Sequence, residues 1–469
     1  MTGTFTAKLT LIRGLVLGAL GVLCAAPANA QVLLAEGQLI RSKAGSYADL
    51  SGLKGTLENG AAANLLGGLG SAITYVNGDT FLALPDRGPN AVSYNAALDD
   101  TVSYINRFHT IQMTLEPNNS GSGLPFTLTP VLRQTTLLHS LLPLAYGPGG
   151  AAAGGVGRGA PAQNNFLRHY FTGRSDNFDP NHDSGFPFDA RFDTEGIRIS
   201  NDGLTVFISD EYGPYVYQFL RATGERLRTF TLPKSFYVAT PGATGDAETA
   251  ANTSGRVPNK GMEGLAITPD GRTLVGILQN SLIQDAAEGG AAANMLRIVT
   301  IDILSGQVTH QFSYLLTTGS GVSELLALND HEFLVDERDG KGLGDGSKAK
   351  VKQIFKIDLK GAMDVSKMDG TNAVAVAVPK MLFLDIVALL EANGITADQI
   401  PSKIEGISFG PDVEVSGQKL HTFWIANDND FQQDASGPNV FFVVGITDAE
   451  FGGSKFEPQV VRNPFPFFF

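Results

Sequence analysis

From residue 70 onward the chain is dominated by short β-branched or aromatic runs bounded by Gly, Asn or Asp, as at residues 72–76, 204–208, 274–277 and 421–425. Such runs predict strands. Helical periodicity is rare. The clearest helix candidate is residues 380–392, with Gly394 as its stop. The expected fold class is therefore all-β with loop insertions and a small helical one.

One unit recurs. It opens with Glu-Gly and an apolar strand, turns at Gly or Asp-Gly, runs through a second apolar strand and ends in acidic or amide residues. Glu195-Gly196 leads through Asn201-Asp202-Gly203 to Asp210-Glu211, and Glu263-Gly264 leads through Asp270-Gly271 to Gln279-Asn280. Glu324-Leu325 leads to Asp336-Glu337-Arg338-Asp339, and Glu405-Gly406 to Asn427-Asp428-Asn429-Asp430. A fifth copy, Gly70-Ser71-Ala72-Ile73, lacks the glutamate and ends Asp86-Arg87-Gly88. The glutamates are roughly 60 to 80 residues apart, long for a blade of about 40 to 50 unless loops are inserted. Radial repetition of four-stranded sheets, a single β-propeller, accounts for the pattern. Six blades are favoured, residues 31–50 and 456–462 pairing as the sixth; five is the alternative.

The first thirty residues carry Lys8 and Arg13, an apolar run over 15–26 and then Ala28-Asn29-Ala30, the parts of an export leader with cleavage after Ala30. The propeller would occupy residues 31–469, in the periplasm or outside the cell. No later run reaches the roughly 18 apolar residues of a membrane span. The sole cysteine, Cys24, lies in the leader and follows Leu23, unlike the small residue a lipoprotein signal prefers. The mature chain thus has no disulfide, thiolate metal site or cysteine nucleophile. The formal net charge is −13, which disfavours nucleic acid as a partner. Residues 147–161 are Gly/Ala-rich without the Gly-Lys-Ser/Thr ending of a phosphate loop, and 241–259 also reads as a loop.

In a propeller, equivalent positions of each blade come to one height around the central channel. Glu195, Glu263, Glu324 and Glu405 would form a ring where the inner strands begin, surrounded by Asp86, Asp210, Glu211, Asn280, Asp336, Glu337, Asn427 and Asp428. Crowded carboxylates either protonate or acquire cations. Oxygen ligands without thiols suit Ca²⁺, with Mg²⁺ as the alternative. The expected metal ligands come from Glu195, Glu211, Glu263, Asn280, Glu324, Glu405 and Asp428. The competing reading has each Glu satisfying backbone amides and each Asp making a turn. Arg87 and Arg338, embedded in acidic strand ends, would either clamp an anionic substrate or partner the neighbouring carboxylates.

Motifs for other chemistries are missing: there is no G-x-S-x-G, and His331-Glu332 does not continue as H-E-x-x-H. His331 and His421 read as turn or surface residues. Asp179-Pro-Asn181-His-Asp183 resembles a calcium loop but fails the EF-hand spacing, and a solvated acidic loop is the favoured reading. Metal-assisted hydrolysis fits best, with Glu263, Glu405 and Glu195 as catalytic carboxylates and Lys260 and Lys403 as contacts for a leaving anion. A non-catalytic scaffold binding protein or polysaccharide is the rival class. The terminal Phe465 to Phe469 stretch is either a docking tag or a closure of the last blade.

The segments LPDRGPN, DTEGI, SDEYGPY, KGMEGLAITPDG, SELL, VDERD and KIEGISFG, spread from Ser71 to Gly445, resemble the family named for the esterase-like activity of phytase. The resemblance implies a propeller hydrolysing phosphoric or carboxylic esters, hence a small-molecule, anionic ester as partner. The chain is more distantly similar to calcium-dependent propeller lactonases, phosphotriesterases and gluconolactonases. Those imply a metal held by Glu195 or Glu263, Asn280 or Asn427, and Asp428.

Overall fold

The computed structural model describes residues 31–89, 102–147, 159–317 and 319–462. The leader, most of the 147–161 loop and the Phe-rich terminus lie outside the described residues. Five antiparallel sheets, four of four strands and the last of four plus a short fifth, Val413–Val415, are numbered here as blades in chain order and surround one channel. Blade 1 comprises Ala72–Asn77, Thr80–Leu84, Arg107–Pro117 and Phe126–Leu137. Blade 2 comprises Thr194–Ile199, Thr205–Asp210, Tyr215–Leu220 and Arg226–Thr231, and blade 3 Met262–Ile267, Thr273–Leu278, Met295–Asp302 and Val308–Leu315. Blade 4 comprises Gly321–Ala327, Glu332–Arg338, Lys352–Asp358 and Lys380–Asp385. Blade 5 runs Lys403–Phe409, Gln418–Asp428, Asn439–Ile446 and, as its outer strand, Val32–Leu39.

The first described strand thus closes the ring inside blade 5, with Val32 opposite Gly445 and Leu39 opposite Asn439. The expected sixth blade does not form among the described residues: its N-terminal half completes the fifth, and residues 456–462 are not a strand. They run across the far mouth of the channel instead. Glu457 N–H donates to Leu328 O (2.9 Å), Arg462 N–H to Asn201 O (2.8 Å) and Gln459 Nε2 to Ile199 O (2.8 Å). Phe456 packs on Phe409, ring centres 4.3 Å apart. This strap spans blades 4, 5 and 2.

The predicted helix over 380–392 is half strand. Lys380–Asp385 is the edge of blade 4, and Asp385 then caps the helix Ile386–Ala392 by accepting from Ala388 N–H (3.0 Å). Gly394, at φ +85°, follows that helix as expected. No helix among the described residues is long and apolar enough to cross a membrane.

The core is five wedges between facing blades rather than one centre. Val206 and Ile208 meet Leu82 and Phe108 between blades 1 and 2, whereas Phe207 and Phe230 meet Leu265 and Leu274 between blades 2 and 3. Every residue of Thr194–Ile199, Thr205–Asp210 and Met262–Ile267 is buried. Strands covered on both faces lose the polar alternation of half-exposed sheets. The channel itself is bolted at mid-height by Arg198 of blade 2. Its guanidinium donates to Ile73 O of blade 1 (3.0 Å) and Leu325 O of blade 4 (2.8 Å), and lies 3.0 Å from Glu324 Oε2.

Candidate functional site at the channel mouth

The Glu-Gly pairs have a common backbone cause. In blades 2, 3 and 5 the ladder between the first two strands breaks at the pair: between Thr194 and Ile197, Met262 and Gly264, and Ile404 and Ile407. A β-bulge re-aims a side chain, here the glutamate, into the channel. The glycine lets the next blade come close. A Cβ on Gly196 would lie 2.5 Å from Leu265 Cβ, and one on Gly406 would lie 2.9 Å from Gly70 O.

Blade 4 departs by one residue. Its bulge falls between Val322 and Glu324, so Ser323 takes the glutamate position and Glu324 the glycine position. Ser323 lines the cavity at the channel mouth; Glu324 does not. Glu324 points down the channel, where Oε1 accepts from Leu265 N–H (3.0 Å) and Leu325 N–H (2.9 Å) and Oε2 faces Arg198. Its expected place in a metal site is therefore corrected: it is part of the bolt. Burial pushes its carboxyl up to about 8 against the pull of Arg198.

The cavity has a volume of about 520 Å³ and gathers Asp86, Arg87, Glu195, Glu211, Glu263, Asn280, Arg338, Lys403, Glu405 and Asp428 from all five blades, with Asn259 and Lys260 from the loop before blade 3. Its charges sort into two regions. On one side Glu195 and Glu211, with Asp193 buried behind the lining, bring carboxylate oxygens within 4.8 Å of one another, and all three side chains are buried. Glu263 abuts them. Burial, then repulsion from Glu263 and Asp193, holds Glu195 and Glu211 well above the usual carboxylate range. Burial and Glu405 push Glu263 up to about 7. Glu211 Oε1 and Glu263 Oε2 are buried without a hydrogen-bond partner.

On the other side cations are interleaved. Arg338 contacts Glu405 through Nη2 and donates from Nε to Ser323 Oγ (2.9 Å). Lys403 lies 2.9 Å from Asp428 and also contacts Asp430. Asp86, Asp428 and Asp430 form a second trio within 4.8 Å. Burial raises Asp86, with Asp428 adding repulsion; burial also acts on Asp428, but Lys403 outweighs it and holds that carboxyl low. Arg87 bridges the regions, 3.2 Å from Asp193 Oδ2 and donating to Asn259 Oδ1. Lys260 stands exposed at the rim and makes no ion pair among the described residues.

Several sequence candidates are elsewhere. Asp210 accepts from Tyr212 N–H (2.9 Å) and Asp193 N–H (3.2 Å), so it shapes the turn that presents Glu211. Glu337 is held by Tyr314, Ser320 and Lys380. Asp336 is fully buried outside the cavity. Asn427 accepts from Val440 N–H (2.6 Å) as a backbone brace, whereas Asn280 lines the cavity with Oδ1 turned to Ser281 N–H (2.9 Å). His331 pairs with Asp358 and His421 with Asp412 and Asp448, away from the cavity. The Asp179 loop satisfies itself: Asp179 accepts from Asn181 N–H and contacts His182, and Asp183 accepts from Gly185 N–H. Sequence reasoning undervalued Asp193 and Asp430, each two residues from a chosen one, and missed Asn259 and Gln279. Period-two spacing along a strand end was the available signal for the first pair.

The donor set fits a hard divalent cation: carboxylates alone, partly without hydrogen-bond partners, and too crowded to ionise together. The chain is 36% identical over 141 residues to an uncharacterized secreted protein of Arthroderma benhamiae. That match covers 27% of each chain, so it spans about a quarter of the length of this curated relative. Among solved structures, a periplasmic gluconolactonase of Pseudomonas aeruginosa aligns at 12% identity over 86% of this chain and 94% of its own, TM-score 0.31. A putative 6-phosphogluconolactonase of Bacteroides uniformis aligns at 12% over 84% and 92%, TM-score 0.28. Alignments this loose carry no argument, and the propeller is read from the chain's own sheets. The family model described as esterase-like activity of phytase matches residues 64–431, through all five inner strands, and the chain therefore belongs to this phytase-like family.

Proposed function

We propose that the protein is an exported, calcium-assisted ester hydrolase acting on small anionic esters, phosphoric esters first, at the mouth of the propeller channel. One observation carries the reading: Asp193, Glu195, Glu211 and Glu263 converge, buried, the last three making no ion pair among the described residues, beside a region rich in Arg and Lys. Dispersed acids, each satisfied by backbone, would have favoured a scaffold. Export rests on the leader-like first thirty residues and accords with the description of the Arthroderma relative as secreted.

Asp193, Glu195 and Glu211 would hold Ca²⁺, or Mg²⁺ in its place. Bound there, the cation would supply Lewis-acid polarisation of a phosphoryl or carbonyl oxygen. Glu263, poised near neutrality, accepts the proton of the attacking water. Arg338, steadied by Glu405 and Ser323, presents its guanidinium to the ester's anionic group, with Lys403 and Lys260 flanking the leaving oxygen. Arg87 and Asn259 close the side nearest Asp193.

The test is a panel of phosphomonoesters, phytate, phosphodiesters, lactones and aryl carboxylic esters, each with calcium, magnesium or chelator. Calcium-dependent turnover of a phosphomonoester supports the reading. Turnover confined to lactones or aryl esters keeps the hydrolase and replaces the substrate. No metal-dependent turnover across the panel removes it.

A further inference from the structure

Outside the cavity, residues 232–261 link blade 2 to blade 3 and contain a short helix, Gly245–Ala251. Its Glu248 is fully buried, an unusual fate for a glutamate in an insertion. Oε2 accepts from Arg191 Nη1 (3.1 Å) and Nη2 (3.2 Å) and from Gly242 N–H (2.7 Å), and Oε1 accepts from Arg256. Arg256 in turn donates from Nε to Tyr212 O (2.7 Å).

The three anchored segments are those that deliver the acidic side of the cavity. Arg191 stands two residues before Asp193 and four before Glu195; Tyr212 directly follows Glu211; Arg256 stands three before Asn259 and four before Lys260. The packing beyond the charges is tight: a Cβ on Gly261 would lie 2.6 Å from Glu211 O. Asn259, the residue that meets Arg87, sits at φ +54°, in the left-handed region that asparagine enters more readily than most residues.

We infer that Glu248 is a positioning residue for the acidic pocket: by gripping Arg191 and Arg256 together it sets Asp193 and Glu195, Glu211, and Asn259 with Lys260 in register. This rests on the proposed function for its chemical meaning, but its geometric content can be tested separately.

The experiment compares Glu248→Gln with Asp285→Asn in the full chain. Asp285 is an equally buried carboxylate, paired with Arg297 (2.7 and 2.9 Å) on the outer part of blade 3, away from the cavity. Two readouts are taken: amide hydrogen exchange in calcium-free protein, and the calcium concentration at half-maximal thermal stabilisation. Glu248→Gln is expected to raise exchange at least tenfold together in residues 191–195, 209–213 and 257–261, and to raise the calcium midpoint at least tenfold. Asp285→Asn should lower the melting temperature while leaving both unchanged. Faster exchange confined to 242–256 with a wild-type midpoint overturns the inference, as does an equal midpoint shift in the Asp285 variant. If wild type is not stabilised by calcium, the proposed metal fails, and the exchange result alone decides whether Glu248 registers the three segments.

Discussion

Replacing Glu324 by alanine separates the bolt from the pocket. The guanidinium of Arg198 is 2% exposed and keeps its bonds to Ile73 O and Leu325 O in the variant. It loses the carboxylate 3.0 Å away. Leu265 N–H and Leu325 N–H lose their acceptor as well. Breaking a buried pair from one side costs about 3–5 kcal/mol, because a buried charge is left uncompensated. For a domain of this size that corresponds to a melting temperature lower by roughly 3–6 °C.

Urea unfolding at pH 9, where the Glu324 carboxyl raised to about 8 is ionised, reads the cost, and a cycle with Arg198→Leu apportions it. The double variant should be more stable than Glu324→Ala alone, since no buried charge is left uncompensated. Glu324→Gln, which keeps an oxygen for the two amides, should lie between. Because Glu324 is outside the cavity, the calcium midpoint should stay at the wild-type value. Unfolding free energy within about 1 kcal/mol of wild type, together with lost stabilisation by calcium, would refute the assignment and return Glu324 to the metal site.

Calcium at a hundredfold excess over its dissociation constant should stabilise chelator-treated protein by about 2.7 kcal/mol; identical melting curves would remove the metal. Without calcium, the raised carboxyls of Glu195, Glu211 and Glu263 give a defined sign: their stabilisation is complete below pH 4.5 and is lost as pH climbs through the raised folded-state value of each, about 7 for Glu263. The melting temperature should therefore fall from pH 5 to 8, and a rise would contradict the crowding argument. Glu263→Gln should lower kcat by about 10²-fold or more, whereas Glu405→Gln, acting through Arg338, should chiefly raise KM; equal kcat losses would demand a direct role for both. Ending the chain after Ser454 removes the strap and the Phe456 contact, for a loss of roughly 1.5–3 kcal/mol in urea without a change in the calcium midpoint.

The propeller was legible because each blade repeats the same local problem: start an inner strand beside a close neighbour, turn, and return. The blade number was less so. The closing strand Val32–Leu39 belongs to no repeat, since the strand it pairs with among the described residues, Asn439–Ile446, lies some 400 residues away. The false helix has a different cause. Lys380–Asp385 is an edge strand, Asp385 also caps a true helix, and apolar spacing across the junction reads as one continuous face.

Three of the four ring glutamates line the cavity, and the fourth was misplaced by a single residue. The clue lay in the residue directly after each glutamate. Gly196, Gly264 and Gly406 stand where a neighbouring inner strand leaves no room for Cβ, so a glutamate before such a glycine occupies the bulge. Glu324 is succeeded by Leu325, a core residue between blades 3 and 4, and therefore cannot occupy that position. Counting from the core outward puts Ser323 at the bulge. Charge sorting was hidden for a related reason: Arg338 and Lys403 sit within acidic strand ends in the sequence, but only the closed ring decides which carboxylates they reach. They neutralise the blade 4 and 5 side and leave Glu195, Glu211 and Glu263 crowded, with no ion pair of their own among the described residues. That asymmetry is what a metal and an anionic ester, bound side by side, require.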